Sequence, residues 1–421
     1  MYIVKNAKKN ILTLFKTGFF HVFGSNTINR MLIFLSSIVI IRIIPKAEFG
    51  IYSYSFNIMS LFMLISGIGL TSGVMQLCSE NMKNKEKSND IYSYGSAIGL
   101  RVNFFIGIII LAFSFCFPLP IKGANYLLGL YSLYPFLFII NEFQQVRLRS
   151  SLENIKFSYI NTISGVMIFV FSIIGGIIIG AQGLIIGQYT ALVSSALIAF
   201  FFFGVPVSFA AKKINREIKT LLFKISLISM VNNGLSQSLF LIDIFIIGFI
   251  IPSEIVVASY RTATVIPIGL NFISSAVCMY AYPYFAKNKD DKKWVREKYK
   301  QLLSGMFVFN LFVSIFIFVF APQIIEIIFG KIYLDALMPF RILSISYFFA
   351  GTFKIISGNL LVTQRKLKFN LIVAILSAVI NIIGNIVLIQ LFGVNGSAAT
   401  TLIVVVFAGV LSTLYWHRVI K

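Results

Sequence analysis

The sequence predicts an all-α polytopic membrane protein: twelve transmembrane helices in two six-helix lobes related by a parallel pseudo-repeat. Three observations carry this prediction. They are an apolar composition broken into span-length runs, basic loops that alternate sides, and a motif order that recurs at nearly constant offset. Of 421 residues, 58% are hydrophobic and only 12% charged, with a mean hydropathy of +0.90. A soluble domain carries about twice that charged fraction. The net charge of +22 would fit a nucleic-acid partner if it were clustered. Its distribution along the chain assigns it to membrane orientation instead.

Residues 1–16 mix Lys5, Lys8, Lys9 and Lys16 with Ile3, Val4, Ile11, Leu12 and Phe15, a basic amphipathic lead-in suited to a membrane surface. No small-residue cleavage site follows a short apolar core, so no cleavable signal peptide is expected. Apolar runs then cover about 17–44, 49–77, 94–117, 124–146, 157–179 and 183–206. After the basic segment 212–219, six more cover about 221–251, 255–286, 302–329, 336–362, 369–391 and 394–416. Each is long enough to cross a hydrocarbon core of about 30 Å.

Assigning the loops alternately to two sides tests this count. One side receives 27 Lys and Arg, from the N-terminal stretch, the loops near 83–87, 147–156, 212–224, 287–300 and 365–368, and the C-terminus. The other receives Arg42, Lys46, Lys122 and Lys331. The positive-inside rule then places both termini in the cytoplasm. All the outward loops are short, so any chemistry belongs inside the bundle.

The expected division is an N-terminal lobe over 1–206, a basic cytoplasmic linker over 207–220 and a C-terminal lobe over 221–421. The lobes repeat. Ile44-Pro45-Lys46-Ala47-Glu48 and Tyr52 find counterparts in Ile251-Pro252-Ser253-Glu254 and Tyr260. Asn26 matches Asn232 at an offset of 206, Lys156-Phe157 matches Lys368-Phe369 at 212, and Gly180-x-x-Gly183 matches Gly393-x-x-Gly396 at 213. An even number of helices per lobe makes the repeats parallel, and transporters built this way bind substrate where their halves meet.

Charged residues inside the spans are the candidates for chemistry. A charge at mid-membrane costs about 2.5–3.5 kcal/mol on insertion scales, so it should meet a partner or a water-filled cavity. Asp243 lies nine residues before Pro252 and Arg261 nine after it, both roughly 13 Å below one surface. Two readings fit: a structural ion pair, or Arg261 on an anionic ligand with Asp243 as its partner or as a proton site. On the first span Asn26, Arg30, Ile33 and Ser37 share a face, and the seventh repeats the stripe with Asn232, Ser236 and Asp243. Arg30 sits too deep to snorkel easily. Arg101, Arg341 and Lys354 add further cations; Arg341 is near a surface, Lys354 deeper. Glu142 near Arg147 reads as an interfacial pair, and Tyr52 and Tyr260 as interfacial packing. The deep positions are thus mostly cationic, with Asp243 the one deep acid. A cavity so lined suits a phosphate or pyrophosphate, because Arg offers paired donors in a fixed fork.

Other classes are disfavoured. Cys78, Cys116 and Cys278 are scattered and odd in number, and His21 and His417 form no cluster, so neither a metal site nor a disulfide framework is expected. There is no Gly-Lys-Ser/Thr phosphate loop. Nor is there a long outward loop with clustered carboxylates or histidines, as a membrane glycosyltransferase or polymerase needs. A transporter without a bound cofactor is the expectation.

Residues 41–52 (Ile-Arg-Ile-Ile-Pro-Lys-Ala-Glu-Phe-Gly-Ile-Tyr), the run Asp243-Ile244-Phe245-Ile246-Ile247-Gly248-Phe249, and the turn Gly393-Val394-Asn395-Gly396 together resemble the O-antigen and polysaccharide flippases. These belong to the superfamily that also holds the multidrug-and-toxin extruders and the lipid II flippases. The resemblance implies translocation of an undecaprenyl-pyrophosphate-linked oligosaccharide from the inner to the outer leaflet of a bacterial inner membrane, by alternating access of two lobes. It also implies that the product passes to a polysaccharide polymerase with chain-length machinery, and it leaves open coupling to a proton or sodium gradient. Arg30 and Arg261 take positions like the cavity arginines of these flippases, and Asp243, Lys354, Arg101, Asn26 and Asn232 complete the expected cavity lining. The alternative is a cation-coupled multidrug extruder, which should place carboxylates where this chain has Arg30.

Overall fold

The computed structural model describes residues 19–420, so the basic lead-in 1–16 lies outside the described residues. The described chain is helical, with no strand among it. Its helices are α1 (Phe19–Ile43), α2 (Lys46–Met63), α3 (Leu70–Glu80), α4 (Lys85–Cys116), α5 (Ala124–Leu130), α6 (Tyr134–Ser150), α7 (Asn154–Phe201) and α8 (Arg216–Ile250). They continue as α9 (Glu254–Gly269), α10 (Asn271–Lys287), α11 (Lys292–Val319), α12 (Ala321–Ile328), α13 (Leu337–Phe349), α14 (Ile355–Thr363), α15 (Leu367–Phe392) and α16 (Val394–Val419).

Among the described residues, ten helices are long and apolar enough to cross a membrane, against the twelve spans read from sequence. Two places account for the difference. The 48-residue α7 would be about 72 Å long if straight. It is instead broken at Ile179 and at Gly180, whose φ of 64° and ψ of −139° are left-handed and non-helical. Its two limbs fold back on each other: a Cβ on Gly183 would come within 1.8 Å of the Gly175 carbonyl oxygen, and the Ser164 and Ser195 hydroxyls bond across. This break separates the runs 157–179 and 183–206. The run 221–251 lies in α8, a continuous helix over Arg216–Ile250 of which Leu241–Ile250 counts as a shorter apolar stretch among the described residues.

The chain forms two compact units. The first holds the described residues up to Ile44 together with Met59–Pro118 and Gly123–Gly234. The second holds Pro45–Ile58, Leu119–Lys122 and the described residues from Leu235 on. The lobe boundary expected from sequence puts 45–58 in the N-terminal lobe, whereas by its contacts this segment groups with the second unit. Lys46 Nζ lies 2.7 Å from Asp335 and from the Ile332 carbonyl, above the Tyr333 ring. Gly50 stands against the Glu254 backbone, where a Cβ would come within 1.9 Å of a carbonyl oxygen, and Gly248 stands against the ring of Tyr54. Residues 45–58 therefore pack against α8 and the start of α9 (Glu254–Gly269) within the second unit. Small residues at these contacts let backbones approach closely, which matters where lipid removes the hydrophobic drive between helices.

The start of the stretch expected as a basic linker is tied down. Tyr92 Oη donates to the Pro206 carbonyl, Gln144 Nε2 to Val205, and Ser96 Oγ to Ser208, so 205–210 lies along the first unit.

The first unit packs Leu70, Val74, Leu100, Ile139, Phe143 and Leu222 into one core, and it also buries Asn103. Asn103 Nδ2 donates to the Pro135 carbonyl and the Ser66 hydroxyl, and its Oδ1 accepts from the Gly67 amide at 2.6 Å. That amide belongs to a left-handed kink at Gly67, Ile68 and Gly69 between α2 and α3. In the second unit Asn310, 207 residues later, holds the corresponding place. It donates to Thr352 and Ser274 and accepts from Tyr347 Oη at 2.8 Å.

Candidate functional site

Asp243 is 4% exposed on α8, inside the second unit. Its Oδ1 accepts from Asn381 Nδ2 at 2.9 Å and Asn385 Nδ2 at 2.8 Å, both on α15 and one helical turn apart. Its Oδ2 accepts from Thr401 Oγ1 on α16 at 2.6 Å and Tyr260 Oη on α9 at 3.1 Å. Ser397 Oγ donates to Asn385 Oδ1 at 2.7 Å, which fixes that amide with its nitrogen toward the acid. An ionised carboxylate has about four acceptor positions, and four donors occupy them here.

Local sequence explains the shape of this cage. The break before α16 at Gly393, φ 58° and ψ −142°, turns the chain so that α15 and α16 run side by side. A Cβ on Gly396 would come within 1.9 Å of the Leu388 carbonyl oxygen, so the helices meet at backbone distance. Short polar side chains on both then reach one point.

Of the two readings of Asp243 and Arg261, the direct ion pair does not form: the carboxylate's partners are the four side chains above. Azimuth decides which side chain meets the acid. Successive helical residues differ by about 100° around the axis. Tyr260 faces Asp243, so Arg261 must face elsewhere, and it is half-buried. Tyr260, expected as interfacial packing, is 1% exposed and part of the cage.

The other expected cavity residues divide into two groups. Lys354 lines a cavity of about 320 Å³ within the second unit, with Asn271, Ser275, Tyr347 and Thr401 on its walls. Thr401 thus touches both this cavity and the acid. The turn of π-helix over Ala350–Lys354 makes the local backbone bulge beside that wall. In the first unit Asn26 accepts from Asn161 Nδ2 at 3.1 Å, part of a clasp in which Asn29 also donates to Asn161. Arg30, one residue on from Asn29, is exposed, and so are Arg101 and Asn232. Arg341 lies over the Phe318 ring, 5.4 Å from its centroid. No group of three or more His, Cys, Asp or Glu is arranged to hold a metal among the described residues.

Sequence reading missed Asn381, Asn385, Thr401 and Ser397. A signal was present: Asn381 and Asn385 stand at i and i+4 in a 26-residue helix whose other residues are almost all apolar. Two amides on one face of such a helix need a polar partner.

A family model described as polysaccharide biosynthesis protein matches residues 39–338. The chain belongs to this family. Within the polysaccharide biosynthesis family match lie Asp243, Tyr260 and Arg261, whereas Arg30, Lys354 and the α15–α16 half of the cage fall outside it. Solved structures extend the fold likeness to those parts. An inward-facing multidrug-resistance MATE family transporter of the MOP superfamily is 15% identical, with a TM-score of 0.74 over 93% of this chain and 94% of that one. An outward-facing structure of such a transporter gives 15% and 0.59, over 94% and 93%. A MOP superfamily transporter from Pyrococcus furiosus Vc1, described as having reversed polarity in its binding pocket, gives 15% and 0.56 over 96% and 93%. A search of curated proteins returns no match. The fold is therefore like that of these transporters, on a chain of the polysaccharide biosynthesis family.

Proposed function

We propose that this protein moves an undecaprenyl-pyrophosphate-linked oligosaccharide from the cytoplasmic to the outer leaflet of the bacterial inner membrane, by alternating access, with both termini cytoplasmic. The observation that carries this reading is the closed shell of Asp243. Its four acceptor positions are filled by neutral donors of its own unit, so the deep acid does not neutralise Arg30, Arg101 or Arg261. Cations left in a membrane-spanning bundle serve an anionic cargo, and the family assignment supplies the polysaccharide context. The candidates for binding the pyrophosphate are Arg30, Arg101 and the exposed Asn232 in the first unit, and Arg261 and Lys354 in the second.

The cage itself has a second role in this proposal. A carboxylate inside a membrane protein is costly unless its charge is balanced. Of its four partners, the Thr401 and Tyr260 hydroxyls turn most readily from donor to acceptor. A proton arriving on Oδ2, or a small cation such as sodium, would be received on that side while the two amides stay in place. We infer that Asp243 is the coupling site for one of these ions.

Reconstituted vesicles test the cargo. Purified protein should accelerate leaflet exchange of a fluorescent polyprenyl-pyrophosphate oligosaccharide, and Arg30→Ala should remove about nine-tenths of that rate with normal reconstitution, roughly the tenfold that one lost charge-assisted contact represents. Arg30→Lys should restore it in part, since an ammonium lacks the paired fork. The likeness to multidrug transporters favours a second reading, export of organic cations. Vesicles that move an organic cation but not the pyrophosphate lipid would overturn the proposal.

A further inference from the structure

The first unit encloses a cavity of about 940 Å³ at the end of its helices, away from every residue assigned above. Its walls come from the turn between α3 and α4, the end of α6, the start of α7 and the extended stretch after α7. They carry Lys85, Arg147, Lys156 and Lys212, against Glu153 as the one wall carboxylate. Glu153 is paired with Lys156 at 2.6 Å, and Asp90 stands behind Lys212 at 3.0 Å. With both acids counted, the cluster keeps a surplus of two positive charges. Five serines complete a wall rich in hydroxyl donors.

Arg147 is fixed in a way that the lysines are not. Its guanidinium lies over the Tyr92 ring, 5.0 Å from the centroid, and its Nη2 donates to Asn89 Oδ1. Tyr92 is itself anchored, its hydroxyl donating to the carbonyls of Phe143 and Pro206. A guanidinium held on one face and one edge presents its remaining donors in a set direction, the geometry that suits a phosphate. The rim is apolar: Met82 and Phe203 line the cavity, and the adjoining Phe201 and Phe202 are 72% and 80% exposed. Large exposed apolar side chains at the end of a membrane-spanning helix suit contact with lipid.

We propose that this cavity binds the phosphate of an anionic lipid headgroup on the cytoplasmic side, with Arg147 as the oriented fork and Lys85 and Lys212 as supporting cations. Basic pockets between helices on that side are suited to such headgroups, and the anionic leaflet supplies the ligand at high local concentration. The proposal rests on the orientation given by the Lys and Arg asymmetry and is independent of the transported cargo. An occupied site would also hold the 203–212 stretch, which forms one wall, against α4 and α6.

The test uses full-length protein in phosphatidylcholine nanodiscs, titrated with phosphatidylglycerol and read by native mass spectrometry and by thermal melting. Phosphatidylglycerol should bind and raise the melting temperature, whereas inorganic phosphate should do neither. Lys85→Gln with Arg147→Gln should weaken binding about thirtyfold, with roughly fivefold from each cation near an anionic surface. If the double variant melts early in phosphatidylcholine alone, Lys85→Gln by itself decides, because that side chain is exposed and its loss should cost only the fivefold. Equal retention of phosphatidylcholine and phosphatidylglycerol, or unchanged binding in these variants, would overturn the site. Saturation by inorganic phosphate alone would overturn its assignment to a lipid.

Discussion

The two units share a scaffold and differ in what they bury. In the first, Gly180 breaks α7 at φ 64°, ψ −139°, and Gly183 packs on the carbonyl of Gly175. In the second, Gly393 separates α15 from α16 at φ 58°, ψ −142°, and Gly396 packs on the carbonyl of Leu388. Every one of these positions is offset by 213, so the hairpin is one design used twice. The polar interiors are not. Shifted by 206 on α8 and 213 on the hairpin, Asp243, Asn385 and Thr401 correspond to Ser37, Ser172 and Gln188, and Asn381 to Ile168. The first unit joins α1 to α7 through a neutral clasp of Asn26, Asn29 and Asn161. Duplication preserved the backbone contacts, which tolerate no side chain, and left the polar positions free to diverge into a neutral brace and a charged cage.

The strongest test of that divergence compares Asp243→Asn with Ser37→Ala. Asn at 243 turns one acceptor oxygen into a donor aimed at a shell already made of donors. Transport should fall to background, with a smaller fall in membrane abundance. Ser37 donates only to the Ile33 carbonyl of its own helix, so its replacement should leave both readouts near wild type. Adding Arg261→Gln to Asp243→Asn sharpens the comparison. Because Asp243 is held by four other side chains, the double mutant should not recover abundance, and the coupling energy should be below about 0.5 kcal/mol. Recovery of abundance would restore the ion pair.

A smaller and more symmetrical effect should come from the hairpins. In Gly183→Ala and Gly396→Ala the new methyl meets a backbone carbonyl oxygen at 1.8 and 1.9 Å, and neither oxygen can rotate away. Each substitution must push its helices apart, at a cost of about 1–3 kcal/mol. The two should lower detergent melting temperatures by similar amounts. A loss at only one site would show that the shared geometry is not shared energetically.

Much of this was legible in the sequence, and the boundary of legibility is physical. Period and hydropathy depend on local composition, so spans, the broken α7 and the glycine turns could be placed from residues alone. The importance of Asp243 was legible too: an acid inside an apolar run must be buried among polar partners, and it is 4% exposed. What failed was azimuth and long-range assembly. Arg261 and Tyr260 are one residue apart, and only packing decides which faces Asp243. Pro45–Ile58 belongs with the second unit because Lys46 meets Asp335, 289 residues away. No local pattern encodes that pairing, although Gly50 and Gly248, which make the close contacts, were both in the motifs quoted.

The finest distinction between the units lies in the two buried asparagines. Asn310 bonds only to side chains: the hydroxyls of Ser274, Thr352 and Tyr347. Those hydroxyls can turn to other acceptors if the amide is removed. Asn103 instead satisfies the Gly67 amide and the Pro135 carbonyl, and neither backbone group can turn. The Gly67 amide sits in the left-handed kink that includes Ile68 at φ 50°, an unfavourable conformation for a β-branched residue. Asn103→Ala should therefore cost about 1–3 kcal/mol, the range for a stranded buried donor. Asn310→Ala should cost nearer 0.6 kcal/mol, the average for a hydrogen bond between membrane helices. Melting of the two variants in one detergent measures the difference, and hydrogen exchange at the Gly67 amide reports whether the kink has opened. If Asn310→Ala were the more damaging, side-chain networks rather than the kinked backbone would be the more fragile element of this fold.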